Sequence, residues 1–357
     1  LGALLWWPRP RTGRRTPAAA PPRSPAAPPP RPAQRWKRRT GADHVELAAT
    51  DDVLLALIGE TVRGLDPRTG KVLWKRVHSF SPTGAGDIAY VLASEATRIA
   101  AIRAASGRTL WTSGYYHQVL GDDVAVTGPV VCVGTDGVSA VNARDGRPRW
   151  TSKVSGKYGI SGADGLVVAV SSTAMTGIDA GTGRTRWTYP MDYGDYQLIG
   201  EGMAFASDRF GTLHAVHAGT GAPAWRRPDV KSWSGQVGGG LVFVEGRYGD
   251  VLALRTTTGE VAWSHRPTRA VDDPRGQATA PGLAGGTLYV ASTDGRMYAL
   301  GAADGRLQWI YDAERPMRIR PVSVGGLVFV ATMDGYIRAL VPPAGATSRS
   351  GGTRGGP

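Results

Sequence analysis

The sequence predicts an all-β fold, an eight-bladed β-propeller of four-stranded antiparallel blades, closed by an N-terminal strand that completes the last blade. Three observations carry this. Tryptophan recurs at 74, 111, 150, 187, 225, 263 and 309, with spacings of 37, 39, 37, 38, 38 and 46 residues. Four residues before each stands a glycine: Gly70, Gly107, Gly146, Gly183, Gly221, Gly259 and Gly305. Upstream of each glycine lies a pair of short apolar runs joined by a small polar turn. A fixed period of this length marks stacked repeats, in which neighbours bury faces that no single unit can bury alone. With 50 Gly and 25 Pro in 357 residues, a long coiled coil or helical bundle is excluded.

The elements follow in order within each unit. Leu288–Thr293, Asp294-Gly295 and Arg296–Leu300 show the apolar pair and its turn most clearly, and Val328–Thr332, Asp334-Gly335 and Tyr336–Leu340 repeat it. Asp-Gly between β-rich runs signals a hairpin, because the turn needs positive φ. The later Thr-Gly or Asp-Gly makes a second turn into the tryptophan strand. With one further strand ahead of the pair, each unit has four strands, the dimension of a propeller blade. The tryptophans Trp74, Trp111, Trp150, Trp187, Trp225, Trp263 and Trp309 are read as wedges between adjacent blades, each burying some 150–250 Å². Their register with a turn glycine favours this over a ligand-binding aromatic array.

The apolar pair occurs eight times, the last near 327–340, and no tryptophan follows that last pair. Trp36 supplies it from the other end, 38 residues before Trp74, with Pro32 at its glycine position. A strand arriving from a linker needs no turn before it, and its pairing with the last blade removes the free sheet edges. Seven blades is the alternative count.

Outside the ring, residues 1–33 read as a membrane-helix stub and a Pro/Arg-rich disordered linker, 34–341 as the propeller and 342–357 as a disordered tail. Leu1–Trp7 is too short to cross a bilayer but fits the end of a spanning helix or signal anchor, with Trp6 and Trp7 at the interface and Pro8 as the helix stop. Ten prolines within 8–34 describe an extended spacer. The expectation is a membrane tether through the N-terminus and an extracytoplasmic propeller. The arginines at 9, 11, 14 and 15 oppose it, because positive residues favour the cytoplasmic side.

The formal charge of +13 belongs to the ends, since residues 41–340 hold 30 Lys/Arg against 29 Asp/Glu. A phosphate-binding domain concentrates its charge on the folded body, so no nucleic-acid partner is expected. One cysteine, Cys132, excludes an internal disulfide and a thiolate metal cage.

The repeat Ala180-Gly181-Thr182-Gly183-Arg184-Thr185-Arg186-Trp187 resembles that of the quinoprotein (PQQ-like) β-propeller family. Ala104, Ala143, Ala218 and Ala302 hold the same alanine position, while Pro67 and Thr256 depart from it. The family's aspartate before the alanine is present as Asp66 and Asp179 and replaced in the other five units. The resemblance covers about 35–341 and is specific for fold, much less for activity. It implies one of two branches. Quinoprotein alcohol dehydrogenases use PQQ with calcium and usually carry adjacent cysteines against the cofactor. The non-catalytic branch is similar to the BamB outer-membrane assembly lipoprotein and to propellers appended outside the membrane to bacterial serine/threonine kinases. A lone Cys and no calcium-ligand constellation point to the second branch, without cofactor or metal.

Catalytic signals are absent. The histidines at 44, 78, 117, 214, 217 and 265 are scattered, and His214 and His217, three apart in a strand, face opposite ways. No nucleophile elbow or phosphate-cradling loop occurs. The links from each tryptophan strand to the next inner strand are the variable part, and all emerge on one face. They carry Tyr115, Tyr116, His117, Tyr158, Tyr193, Tyr196 and Trp233. Aromatic groups on a rigidly mounted loop face suit a binding site, and tyrosines covering loops is the plainer reading. The functional expectation is therefore a non-catalytic binding or scaffold module at the cell envelope, acting as a monomer. Its loop face would hold a protein or small-ligand partner, in a sensor or protein-interaction role. A PQQ-dependent oxidoreductase is the alternative.

Overall fold

A computed structural model describes residues 29–42, 45–77, 79–93, 98–114, 124–192, 194–246, 248–267, 281–317 and 319–344. The N-terminal stub and most of the linker lie outside these residues, as does the tail beyond 344. Among the described residues no helix is long and apolar enough to cross a membrane.

The strands form eight four-stranded antiparallel sheets. Seven are sequential meanders, spanning residues 45–77, 79–112, 124–152, 160–190, 194–227, 230–265 and 282–312. The eighth combines Val322–Val324, Leu327–Thr332 and Tyr336–Val341 with the N-terminal strand Ala33–Arg39. Blades are numbered one to eight in this order, and the strands of each blade a to d from the axis outward. Neighbouring a strands contact one another around a closed circle that includes blades eight and one. The predicted closure is present: Trp36 pairs with Ala339, and Arg39 with Tyr336.

The b and c strands are buried because their apolar runs face neighbouring sheets on both sides; Leu54–Ile58, Val130–Gly134 and Leu327–Thr332 are buried throughout. The core is therefore a set of clusters lying between consecutive blades, such as that of Leu55, Val62 and Trp74 with Val91 and Ile102. Every d strand carries its tryptophan opposite a small c-strand residue: Gly64, Ala101, Ala140, Gly177, Ala215, Ala253, Ala299 or Ala339. A β-carbon added at Gly177 would stand 2.2 Å from the Trp187 ring, so the indole lies flat across this position.

Candidate functional site

The two rims of the ring are built differently. One rim carries the a–b and c–d turns. There the indole N–H of Trp36, Trp74, Trp111, Trp150, Trp187, Trp225 and Trp263 donates to a backbone carbonyl of the following blade, at 2.6–3.0 Å. The acceptors are Pro67, Ala104, Ala143, Ala180, Ala218, Thr256 and Ala302, the alanine position of the repeat. In six blades the N–H of the same residue donates to its own a–b turn, as from Ala180 to Gly165 O at 3.0 Å. Pro67 has no N–H, yet its carbonyl still takes the Trp36 bond.

The turn glycine completes the joint. All seven sit at φ between 67° and 73°, and a β-carbon there would meet the preceding blade's indole at 2.4–2.9 Å. Both the backbone and the ring therefore require glycine. Trp309 faces a blade with no c–d turn, is fully buried, and packs 5.8 Å from the Tyr289 ring in a cluster that reaches Val328 and Leu340.

The other rim carries the b–c turns and the d–a links, which hydrogen-bond to each other: Thr40 N to Gly335 O, Met191 N to Thr173 O, and Ala313 N to Gly295 O. At six of the eight seams the residue two past the tryptophan reaches the next blade; Ser113 and Ser152 instead accept from the N–H groups of Ile99 and Val154 in their own units. Arg38, Arg76 and Arg227 donate to the carbonyls of Gly70, Gly107 and Gly259. Elsewhere polar relays replace the arginine. Tyr189 lies 3.1 Å from Nδ1 of buried His214, whose Nε2 lies 3.1 Å from Asp208. With Nε2–H donating to the carboxylate, Nδ1 accepts from the phenol. Burial pushes the Asp208 carboxyl up, but donors from His214 and the N–H groups of Thr212 and Phe210 outweigh it and hold it below the usual range. Two seams on, His265 packs against Tyr298, ring centres 5.4 Å apart, and Tyr298 donates to Asp294. Burial holds His265 below the ordinary imidazole value, and its Nε2 has no partner among the described residues. At the closing seam Tyr311 donates to Gln34, and Arg338 pairs with Asp334.

Of the loop-face residues singled out in the sequence, Tyr115, Tyr116, His117 and Tyr193 lie outside the described residues. Tyr158 is half-buried, packed against the cluster of Leu166, Trp187 and Met191, with the Lys157 ammonium 5.5 Å from its ring. Tyr196 and Trp233 fall in the a strands Gly194–Gly200 and Val230–Gly238 rather than in links, because these two strands run long at this rim. Sequence reasoning passed over the exposed apolar groups of the same rim: Phe210, Tyr248 and Met333 on b–c turns and Val77 at a d-strand end, 53–70% exposed. For the three turn residues, a large side chain inside the short link between two apolar runs was the available signal.

Between the rims a cavity of about 580 Å³ follows the axis, lined by a-strand residues of five blades, including Glu46, Thr83, Gln236 and Ser323, with Arg320 beside them. The quinone and calcium implied by the dehydrogenase branch can be tested against these groups. Cys132 lies buried in a b strand with its thiol pushed up to about 12 by desolvation, and it has no neighbouring cysteine. Among the described residues no three His, Cys, Asp or Glu side chains converge on a cation position. These residues do not fit that cofactor pair.

The sequence matches the family described as outer membrane protein assembly factor BamB over residues 95–208 and 249–348, and the chain belongs to that family. No curated protein sequence matches it. Among solved structures it is similar to BamB from Moraxella catarrhalis, at 18% identity and TM-score 0.64, covering 87% of this chain and 99% of that one. Saccharomyces cerevisiae Sqt1 is similar at 12% identity and TM-score 0.68, covering 88% and 100%. The quinohemoprotein alcohol dehydrogenase ADHIIG of Pseudomonas putida HK5 follows at 15% identity and TM-score 0.60, covering 87% and 75%. At these identities the likeness shows the eight-bladed fold alone.

Proposed function

We propose that this chain is a non-catalytic binding and scaffold propeller of the cell envelope, tethered through its N-terminal linker, with the b–c and d–a rim as its recognition face. The observation that carries the reading is the asymmetry of the rims. Repeated indole, alanine and glycine contacts fill one rim, where Val72, Leu73, Val261 and Leu307 at the d-strand starts are 37–45% exposed, while the other rim carries the more exposed apolar groups, 53–70%, on turns that make no repeated contact. Membership of the BamB-described family supports an envelope scaffold, and the proline-rich spacer supports presentation at a distance from a membrane. The partner is a protein or small ligand, read in a sensor or protein-interaction role.

Replacing Tyr116, Tyr193, Tyr196 and Trp233 together with alanine tests this. In producing cells, chemical cross-linking followed by mass spectrometry is expected to lose its partner adducts while the melting temperature holds. Adducts that persist unchanged would remove the recognition face. Titration with PQQ and Ca²⁺ is expected to give no saturable binding and no dye-linked alcohol oxidation. Tight binding with turnover would instead favour the dehydrogenase reading.

A further inference from the structure

We infer that the corner of this rim formed by blades five and six is a docking site for a linear acidic segment of a partner protein; the inference rests on the recognition-face reading. The two b–c turns there are unusual as a pair. Where blades three, seven and eight have Asp136-Gly137, Asp294-Gly295 and Asp334-Gly335, these read Arg209-Phe210-Gly211 and Arg247-Tyr248-Gly249. Phe210 and Tyr248 are 63% and 70% exposed, the two most exposed large apolar side chains among the described residues. The turns are coupled through the backbone. Gly211 abuts the carbonyl of Val230, Val230 pairs with Gly246, and Gly246 closes the Tyr248 turn onto Asp250.

Two cations flank the rings. The Arg209 guanidinium stands 4.7 Å from the Phe210 ring centre, and Arg266 donates to the carbonyl of Tyr248. Neither has a carboxylate partner among the described residues. Of the nearby acids, Asp208 is committed to His214 and its own turn and Asp229 to Arg227, while Asp250, at the end of the Tyr248 turn, is held inward with its Oδ1 buried rather than facing the rim. Exposed aromatics beside unpaired arginines present apolar area and charge-assisted donors, the combination that dominates protein–protein hot spots. The complement is a segment alternating Asp/Glu with aromatic or aliphatic residues. A nucleic acid is disfavoured because the folded body carries 30 basic against 29 acidic groups, with no excess for a phosphate backbone.

The test is selection from an unbiased display library of 16-residue peptides on the full chain. Enriched peptides are expected to be acidic with interspersed apolar residues. Their affinity should fall about tenfold or more in both F210S/Y248S and R209E/R266E, and weaken between 50 and 300 mM salt. Both variants should melt with the parent, since these side chains are exposed. Enrichment of basic or neutral peptides, no enrichment, or affinity indifferent to both variants would overturn the inference. So would binding of a labelled single-stranded oligonucleotide, or self-association of the chain, that depends on the same four residues. Benzophenone cross-linking from Tyr158 and Met333 separates the two levels. If those positions still capture a partner when no acidic peptide binds, this corner fails and the recognition face stands; if neither does, both fall.

Discussion

The turn rim and the loop rim of one ring obey different rules. On the turn rim, a single geometry recurs: an indole N–H on a carbonyl, an indole face on a glycine, and a small residue across the strand. Toward the loop rim, the position two residues past the tryptophan is Arg38, Arg76, Ser113, Ser152, Tyr189, Arg227, His265 and Tyr311 in turn, with the three arginines reaching back to turn-rim carbonyls. The first rim has a packing problem with one answer, since the ring and the turn leave no room for a β-carbon. The second rim is solved locally at each seam, so no repeated contact dictates its outermost side chains.

The contrast can be broken most severely at the closure. Removing residues 29–39 would strip Trp36 and leave Tyr336–Val341 as a bare edge. The expected result is concentration-dependent association on sizing columns with loss of a cooperative melt; a monomeric, cooperative product would contradict it. On the turn rim, Trp187→Ala is expected to cost about 3–5 kcal/mol in urea unfolding, through a lost ring and a cavity. Gly221→Val is expected to cost about 3 kcal/mol through overpacking against Trp187 and a strained φ.

Acidification separates two seams of the loop rim. Burial lowers the His265 pKa, so the unfolded chain binds that proton more readily, and stability is lost as pH falls below about 6.5. H265F should flatten the melting curve between pH 7 and 5. Asp208 is likewise held low, so its contribution is present above about pH 4 and lost as pH falls through its folded value. D208N should flatten only that lower limb; equal sensitivity in both windows would contradict the assignment. The smallest effect belongs to the exposed tips: F210S is expected to change stability by no more than about 0.5 kcal/mol.

This division also explains what the sequence disclosed. Gly183 and Trp187, four apart, report a contact that each makes with a different neighbour, yet they repeat together, so the blades and their closure by Trp36 are readable without coordinates. The Tyr189–His214–Asp208 relay is not, because its members come from adjacent units and no period links them. Tyr196 and Trp233 looked like link residues because sequence does not mark where a strand that outruns its neighbours begins. Phe210 and Tyr248 stood in turns, where only exposure distinguishes an apolar group from one folded inward.

Site-specific photo-cross-linking from both rims tests the division most directly. Benzophenone at Phe210 and Met333 on the loop rim is compared with Asp164 and Arg144 on the turn rim, all four exposed. Adducts from the first pair alone are predicted; adducts from the turn rim at equal or greater yield would contradict the account.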